Sequence, residues 1–133
     1  MKQEIVGIAL VVADYDEAIA YYTEKLDFEL IEDTPLGGGK RWVRVGPRGS
    51  QHFRLLLAQA ANEEQRARVG NQTGGRVFLF LHTDDVERDY RVWSGRGVCF
   101  LEQPRQEVYG KVVVFADLYG NKWDLIEPAT GAG

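Results

Sequence analysis

The chain has 133 residues, 44% of them hydrophobic, and a formal net charge of −4 at pH 7. That is enough apolar material for a core without disulfides or a structural metal. The interspersed acids and bases exclude a basic stripe for nucleic acid and a polybasic membrane anchor. With one cysteine, Cys99, no intrachain disulfide can form, which predicts a reducing, cytoplasmic setting. Cys99 lies in the apolar run "GVCFLE" and is expected to be a buried, inert thiol.

The first apolar run, "IVGIALVV" at residues 5 to 12, is too short to span a bilayer and reads as a strand, not a leader or anchor. Asp14 follows as a helix N-cap, with Glu17 three residues on. Tyr15, Ile19, Tyr22 and Leu26 then form the stripe of an amphipathic helix. "FELIED", "KRWVRVG" and "HFRLLLAQ" are predicted strands, separated by the turns "PLGGG" and "PRGS". The polar stretch after Gln59 reads as a linker with one helical turn in its middle.

The pattern then repeats. "RVFLFLHT" is a strand, and "DDVERDYRVWSGRG" a capped helix with Val86, Tyr90 and Trp93 on one face. "VCFLEQP" is a strand, "QEVYG" a loop, "KVVVFAD" a strand, "LYGN" a turn and "KWDLIEP" a last strand. Both halves read β-α-β-β-β. Asp14 falls on Asp85, Phe28 on Val98, Val43 on Val113, Gly49 on Gly120 and Leu55 on Leu125, at an offset of 70 or 71 residues. So steady an offset points to two homologous modules, with boundaries expected at 1–60 and 76–133 around a linker at 61–75.

The runs "IALVVADYDEAIAYYTEKLDFEL", "GVCFLEQP", "VYGK" and "FADLYGNKWDLIEP" resemble the vicinal oxygen chelate superfamily, which includes glyoxalase I, extradiol dioxygenases, and fosfomycin- and bleomycin-resistance proteins. The resemblance covers nearly the whole chain. It implies an α+β fold of two βαβββ modules, with mixed sheets curled into cups and helices outside. Asp27 departs from the family pattern, which has glycine there to make a turn at positive φ.

By the same resemblance, metal-dependent members carry one ligand early on the first strand of each module and one near the start of the fourth. Those four positions fall on Gly7, Arg54, Phe78 and Asp124. Only Asp124 can ligate, since Arg54 is a permanent cation and Gly7 and Phe78 have no donor atom. No metal or other cofactor is therefore expected at the usual site. An atypical divalent-metal site from His52, His82 and Asp124 is the alternative.

Arg54 and Asp124, taken as repeat-related, are expected at the floor of a cavity. There they would either pair with one another or hold a polar ligand between them. Phe78, Phe80 and His82 alternate on one strand, Tyr109 sits in the "VYGK" loop, and Trp42 lies on a strand whose alternation leaves its face open. Core packing is the plain alternative for these aromatics. As a set, Arg54, Asp124, Phe78, Phe80, His82, Tyr109 and Trp42 predict a site for a small aromatic or peptide-like molecule. Bleomycin-type, metal-free sequestration, as in antibiotic resistance, is the leading expectation. A lyase or dioxygenase using His82, Tyr109 or Asp124 is the second, and a regulatory or assembly module the third. The resemblance also implies a homodimer with pockets shared between protomers.

Overall fold

The computed structural model describes residues 2–129, which fall into two compact units dividing between Val69 and Gly70. The first contains β1 (Gly7–Val12), α1 (Tyr15–Ala20), β2 (Glu29–Gly37), β3 (Lys40–Gly46), β4 (Arg54–Gln59) and a single helical turn, α2 (Glu63–Arg66). Its sheet runs β1-β4-β3-β2, with β1 parallel to β4 and the other pairs antiparallel. Asp14 is extended (φ −153°), and its Oδ2 accepts from the Glu17 N–H at 2.8 Å, which starts α1.

The helix does not stop at Ala20 but widens into a π-helical turn, Tyr21–Lys25. The Phe28 N–H then returns to the Tyr22 carbonyl (2.9 Å), and Asp27 lies between them at φ 60°. It is the only non-glycine residue with positive φ among those described, so the turn is made where the family pattern has glycine. Tyr15, Ala18, Tyr22 and Leu26 are buried, as are Leu10, Val12, Val43, Val45, Leu55 and Leu57 on the strands. Each larger side chain so buried contributes about 1.5–3 kcal/mol. Alternation then sends Gly7, Ala9, Val11, Trp42, Arg44, Arg54, Leu56 and Ala58 to the face opposite the helix, called here the open face.

The second unit contains β5 (Val77–His82), α3 (Val86–Gly95), β6 (Cys99–Phe100), β7 (Arg105–Glu107), β8 (Gly110–Ala116) and β9 (Lys122–Pro128). Its order is β5-β9-β8-β6, with β7 also paired to β8 and β5 parallel to β9. Asp85 caps α3 through the Arg88 N–H at 3.0 Å. The core here is aromatic: Phe115 stacks on Trp123 (5.7 Å between centroids) and meets Trp93 edge-on (5.6 Å). No helix among the described residues is long and apolar enough to cross a membrane.

Three expectations are corrected. "VCFLEQP" is not one strand, and "QEVYG" is not wholly a loop. The strand breaks after Phe100 and resumes at Arg105. Pro104 cannot donate to a ladder, and across the break the Glu102 carboxylate accepts from the Val114 N–H (3.1 Å) where a backbone carbonyl would otherwise stand. Cys99 is exposed rather than buried. On so short an edge strand, alternation sends Phe100 to Phe115 in the core and Cys99 to the opposite face.

The third correction concerns the repeat. Val43 pairs with Leu57, and Val113 pairs with Leu125. With Val43 matched to Val113, the counterpart of Leu125 is Leu57 and not Leu55. Asp124 then corresponds to Leu56, and Arg54 to Lys122. A second contact fixes the same alignment. Gln59 Oε1 accepts from the first helical N–H of α1, at Tyr15 (3.1 Å), and Glu127 Oε1 accepts from that of α3, at Val86 (3.0 Å). The cause is the connection before the last strand, residues 47–53 in the first unit against 117–121 in the second. The shorter one is held by buried Asp117, which accepts from the Asn121 N–H, the Asn121 side chain and the Trp123 indole.

Candidate functional site

In the first unit the open face holds a hollow of about 350 Å³ whose lining includes Gly7, Ala9, Trp42, Arg44, Arg54 and Leu56. Arg44 is held by Glu32, with Nη2 to Oε1 at 3.0 Å. Arg54 is half-buried, and its Nη1 donates to the Phe53 carbonyl at 3.0 Å. Gly7 is required by packing: a Cβ there would lie 2.8 Å from the Arg54 carbonyl oxygen. Its missing donor is therefore the condition for close β1–β4 approach. Trp42 also lines a second hollow of about 450 Å³, with Tyr15, Arg41 and Ala58. There the Arg41 guanidinium lies 5.0 Å from the Tyr15 ring centroid and pairs with Asp16 and Asp33.

In the second unit, register sets out the open face row by row. Phe80 pairs with Asp124 and Asp124 with Val114, and the Leu101 N–H, just past the end of β6, donates to the Val114 carbonyl, so one row crosses three strands and reaches Leu101. The next row is His82, Ile126, Val112 and Arg105. Phe80 is 66% exposed and His82 is exposed, whereas Asp124 is only 9% exposed. Phe78 is the extra residue of a bulge between Val77 and Leu79 and has no ladder partner, so its face does not follow from alternation with Phe80 as expected. Tyr109 is half-exposed in the β7–β8 turn, where its side chain hydrogen-bonds Arg105.

Asp124 is chemically the least settled group. Its Oδ1 is buried without a hydrogen-bond partner among the described residues. Burial pushes its carboxyl above the usual range, nearby Arg105 pulls it back, and nearby Glu102 adds to the rise. Arg105 itself is engaged by Tyr109, by Glu102 (Nε to Oε2, 3.0 Å) and by Glu107 (Nη1 to Oε1, 3.0 Å). Neither Arg105 nor Glu102 was expected from the sequence. The signal was present in "PRQEVYGKVV", a hairpin whose alternation puts Arg105 on the face of Val112.

Within the first unit, then, Trp42 and Arg54 share one hollow. Within the second, Phe80, His82 and Asp124 share one face, with Tyr109 reaching it through Arg105. The metal-position set is corrected as well: its fourth-strand member in the first unit is Leu56, which no more ligates than Arg54 would. His52 pairs with Glu4 at the surface (3.4 Å). Among the described residues no group of three or more His, Cys, Asp and Glu side chains is placed to hold a metal ion.

Comparisons with known proteins agree with this architecture. An uncharacterized protein of Shewanella frigidimarina is 57% identical over 128 residues, covering 96% of this chain and 95% of the relative. The crystal structure of UcmS2 superposes with a TM-score of 0.84 at 29% identity, covering 96% and 99% of the two chains. That of TnmS3, an antibiotic binding protein from Streptomyces sp. CB03234, superposes at 0.77 with 28% identity, covering 96% and 98%. Residues 4–125 match the Glyoxalase/Bleomycin resistance protein/Dioxygenase superfamily, and the chain belongs to it.

Proposed function

We propose that this protein binds a small organic molecule, aromatic or peptide-like, without a metal ion, and so sequesters or carries it. The observation that carries this reading is the content of the open faces. They offer Trp42, Phe80 and small apolar residues with a few polar anchors, and one of the four family ligand positions, Asp124, bears a ligating atom. Such a lining favours planar surface over chelation. The similarity to TnmS3 supports an antibiotic as the ligand class. On this reading Arg54 and Trp42 on the first open face, and Phe78, Phe80, His82, Tyr109 and Asp124 in the second unit, are the ligand-contacting residues, in a cytoplasmic homodimer with pockets shared between protomers.

The test begins with protein purified without chelator, assayed for bound metal and titrated with bleomycin and with a planar fluorophore, anilinonaphthalene sulfonate. Trp42 is 41% exposed while Trp93 and Trp123 are buried, so binding should quench fluorescence in the wild type and much less in Trp42→Phe. Arg54→Ala should weaken the anionic fluorophore at least about threefold, in line with the loss of a charge-assisted contact. Stoichiometric Ni, Zn, Fe or Mn in the purified protein would overturn the metal-free reading. Light scattering that gives a monomer at binding concentrations would overturn the dimer.

A further inference from the structure

Asp124 and its neighbours carry the reading above to a narrower ligand class. The side chain stands on the open face of the second sheet in the row Phe80–Asp124–Val114–Leu101. Phe80 is 66% and Leu101 49% exposed, whereas Asp124 between them is nine-tenths buried and its Oδ1 has no partner. An unpartnered buried carboxylate oxygen is costly, and a folded chain ordinarily meets it with a donor.

The local charges decide what kind of donor is missing. Glu102 and Glu107 flank Arg105, which spends Nε on the first and Nη1 on the second. Glu102 is further engaged by the Val114 N–H, and Arg105 by Tyr109. With Asp124, the cluster has three carboxylates around one guanidinium that is already engaged. The other fixed cation on this face, Lys122, donates to the Gly75 carbonyl at 3.2 Å. His82 is exposed one row away. Arg105 offsets part of this charge, but it is shared with Glu102 and Glu107 and the cluster stays net negative, so a cationic donor fits this place better than a neutral one.

We propose that Asp124 anchors a protonated nitrogen of the ligand, and that the molecule bound is an organic cation: a flat ring system bearing an amine or amidine, its ring against Phe80 and Leu101. This rests on the binding reading above and names its substrate class. Among the described residues the first unit has Leu56 in the matching place and no buried, unpartnered acid, so the polarity belongs to the second module.

The experiment compares probes of one shape and different charge on the full-length protein. Calorimetric titration at neutral pH would use 9-aminoacridine (cationic), acridine (neutral) and anthracene-9-carboxylate (anionic). The cation should bind at least tenfold tighter than the neutral ring, and the anion weakest. Asp124→Asn should remove the tenfold preference and leave acridine within about twofold, while Asp124→Glu should retain it. Glu87→Gln removes the same charge from the helix side, where Glu87 pairs with Lys111, and should change nothing. Equal binding of cation and neutral ring, or loss of both in Asp124→Asn with the fold intact by circular dichroism, would overturn the anchor and leave the binding reading standing. Failure of every probe to bind would overturn both.

Discussion

The two units share a plan and differ in what they do with it. Each caps its helix with aspartate, turns its chain at positive φ at matching places (Asp27 and Gly97) and carries on its last strand an amide or acid that meets the first helical N–H. Yet the first packs a mainly aliphatic sheet under two tyrosines, while the second stacks Phe115 on Trp123 and sets Trp93 edge-on against Phe115. On the open faces the contrast reverses, with Leu56 at the centre of the first and Asp124 at the centre of the second. The module with the heavier aromatic core also carries the buried, unsatisfied acid. A destabilising group is tolerated where the core beneath it can offset its cost.

The largest expected effect tests the cores. Phe115 and Val45 occupy matching places, each fully buried. Phe115→Ala should cost about 3–5 kcal/mol, and Val45→Ala about 2 kcal/mol, read as shifts of the urea midpoint. Equal losses would break the contrast between the cores.

A smaller effect tests the open faces. Asp124→Leu, which copies Leu56 into the second unit, should stabilise the protein by about 1–3 kcal/mol at pH 7. Burial raises this carboxyl above its unfolded value, so the folded protein holds the proton more tightly than the unfolded chain. Ionisation of Asp124 therefore opposes folding as pH rises above the ordinary carboxylate range, an effect complete once pH passes the raised value. The gain from Asp124→Leu should accordingly shrink as pH falls towards about 4. A gain that is constant from pH 4 to 8 would show that the acid is already satisfied.

The smallest effect tests the turns. Gly97→Ala forces a β-carbon into left-handed backbone (φ 91°) and should cost about 1–2 kcal/mol. Asp27→Gly relieves the same conformation at φ 60° and should gain less than about 1 kcal/mol, because aspartate tolerates that region and glycine has more chain entropy to lose. If Asp27→Gly destabilises, the aspartate side chain is holding the turn by its own contacts.

What was legible in the sequence was what short-range physics determines. The caps at Asp14 and Asp85, the turn at Asp27, the helical stripe and the repeated order of elements each depend on a few neighbouring residues. The register of the last strand in the first unit depends on a partner strand and on the length of the connection before it. "RLLLAQ" offers three leucines in a row, so alignment by residue identity slid by two without any loss of apparent match. That slip put Arg54 opposite Asp124. Only the pairing of Val43 with Leu57, and the reach of Gln59 to the helix, show that Leu56 belongs there. The exposed Cys99 and the bulge at Phe78 escaped for the same reason. Alternation gives faces only once the breaks in a strand are known, and those breaks are made by Glu102, Pro104 and the β5–β9 ladder.

In both units the first strand pairs with the last: β1 with β4, and β5 with β9. This has a consequence for how the chain is made. On the ribosome β1 has no partner until β4 emerges, and closing that loop costs entropy before any pairing repays it. Each sheet is therefore completed by its final strand, and in the second unit that strand carries Asp124. Among the described residues each sheet is built from strands of its own unit, so the first sheet can be finished while the second is still being synthesised. The acid arrives last, on a sheet whose other strands are already waiting for it.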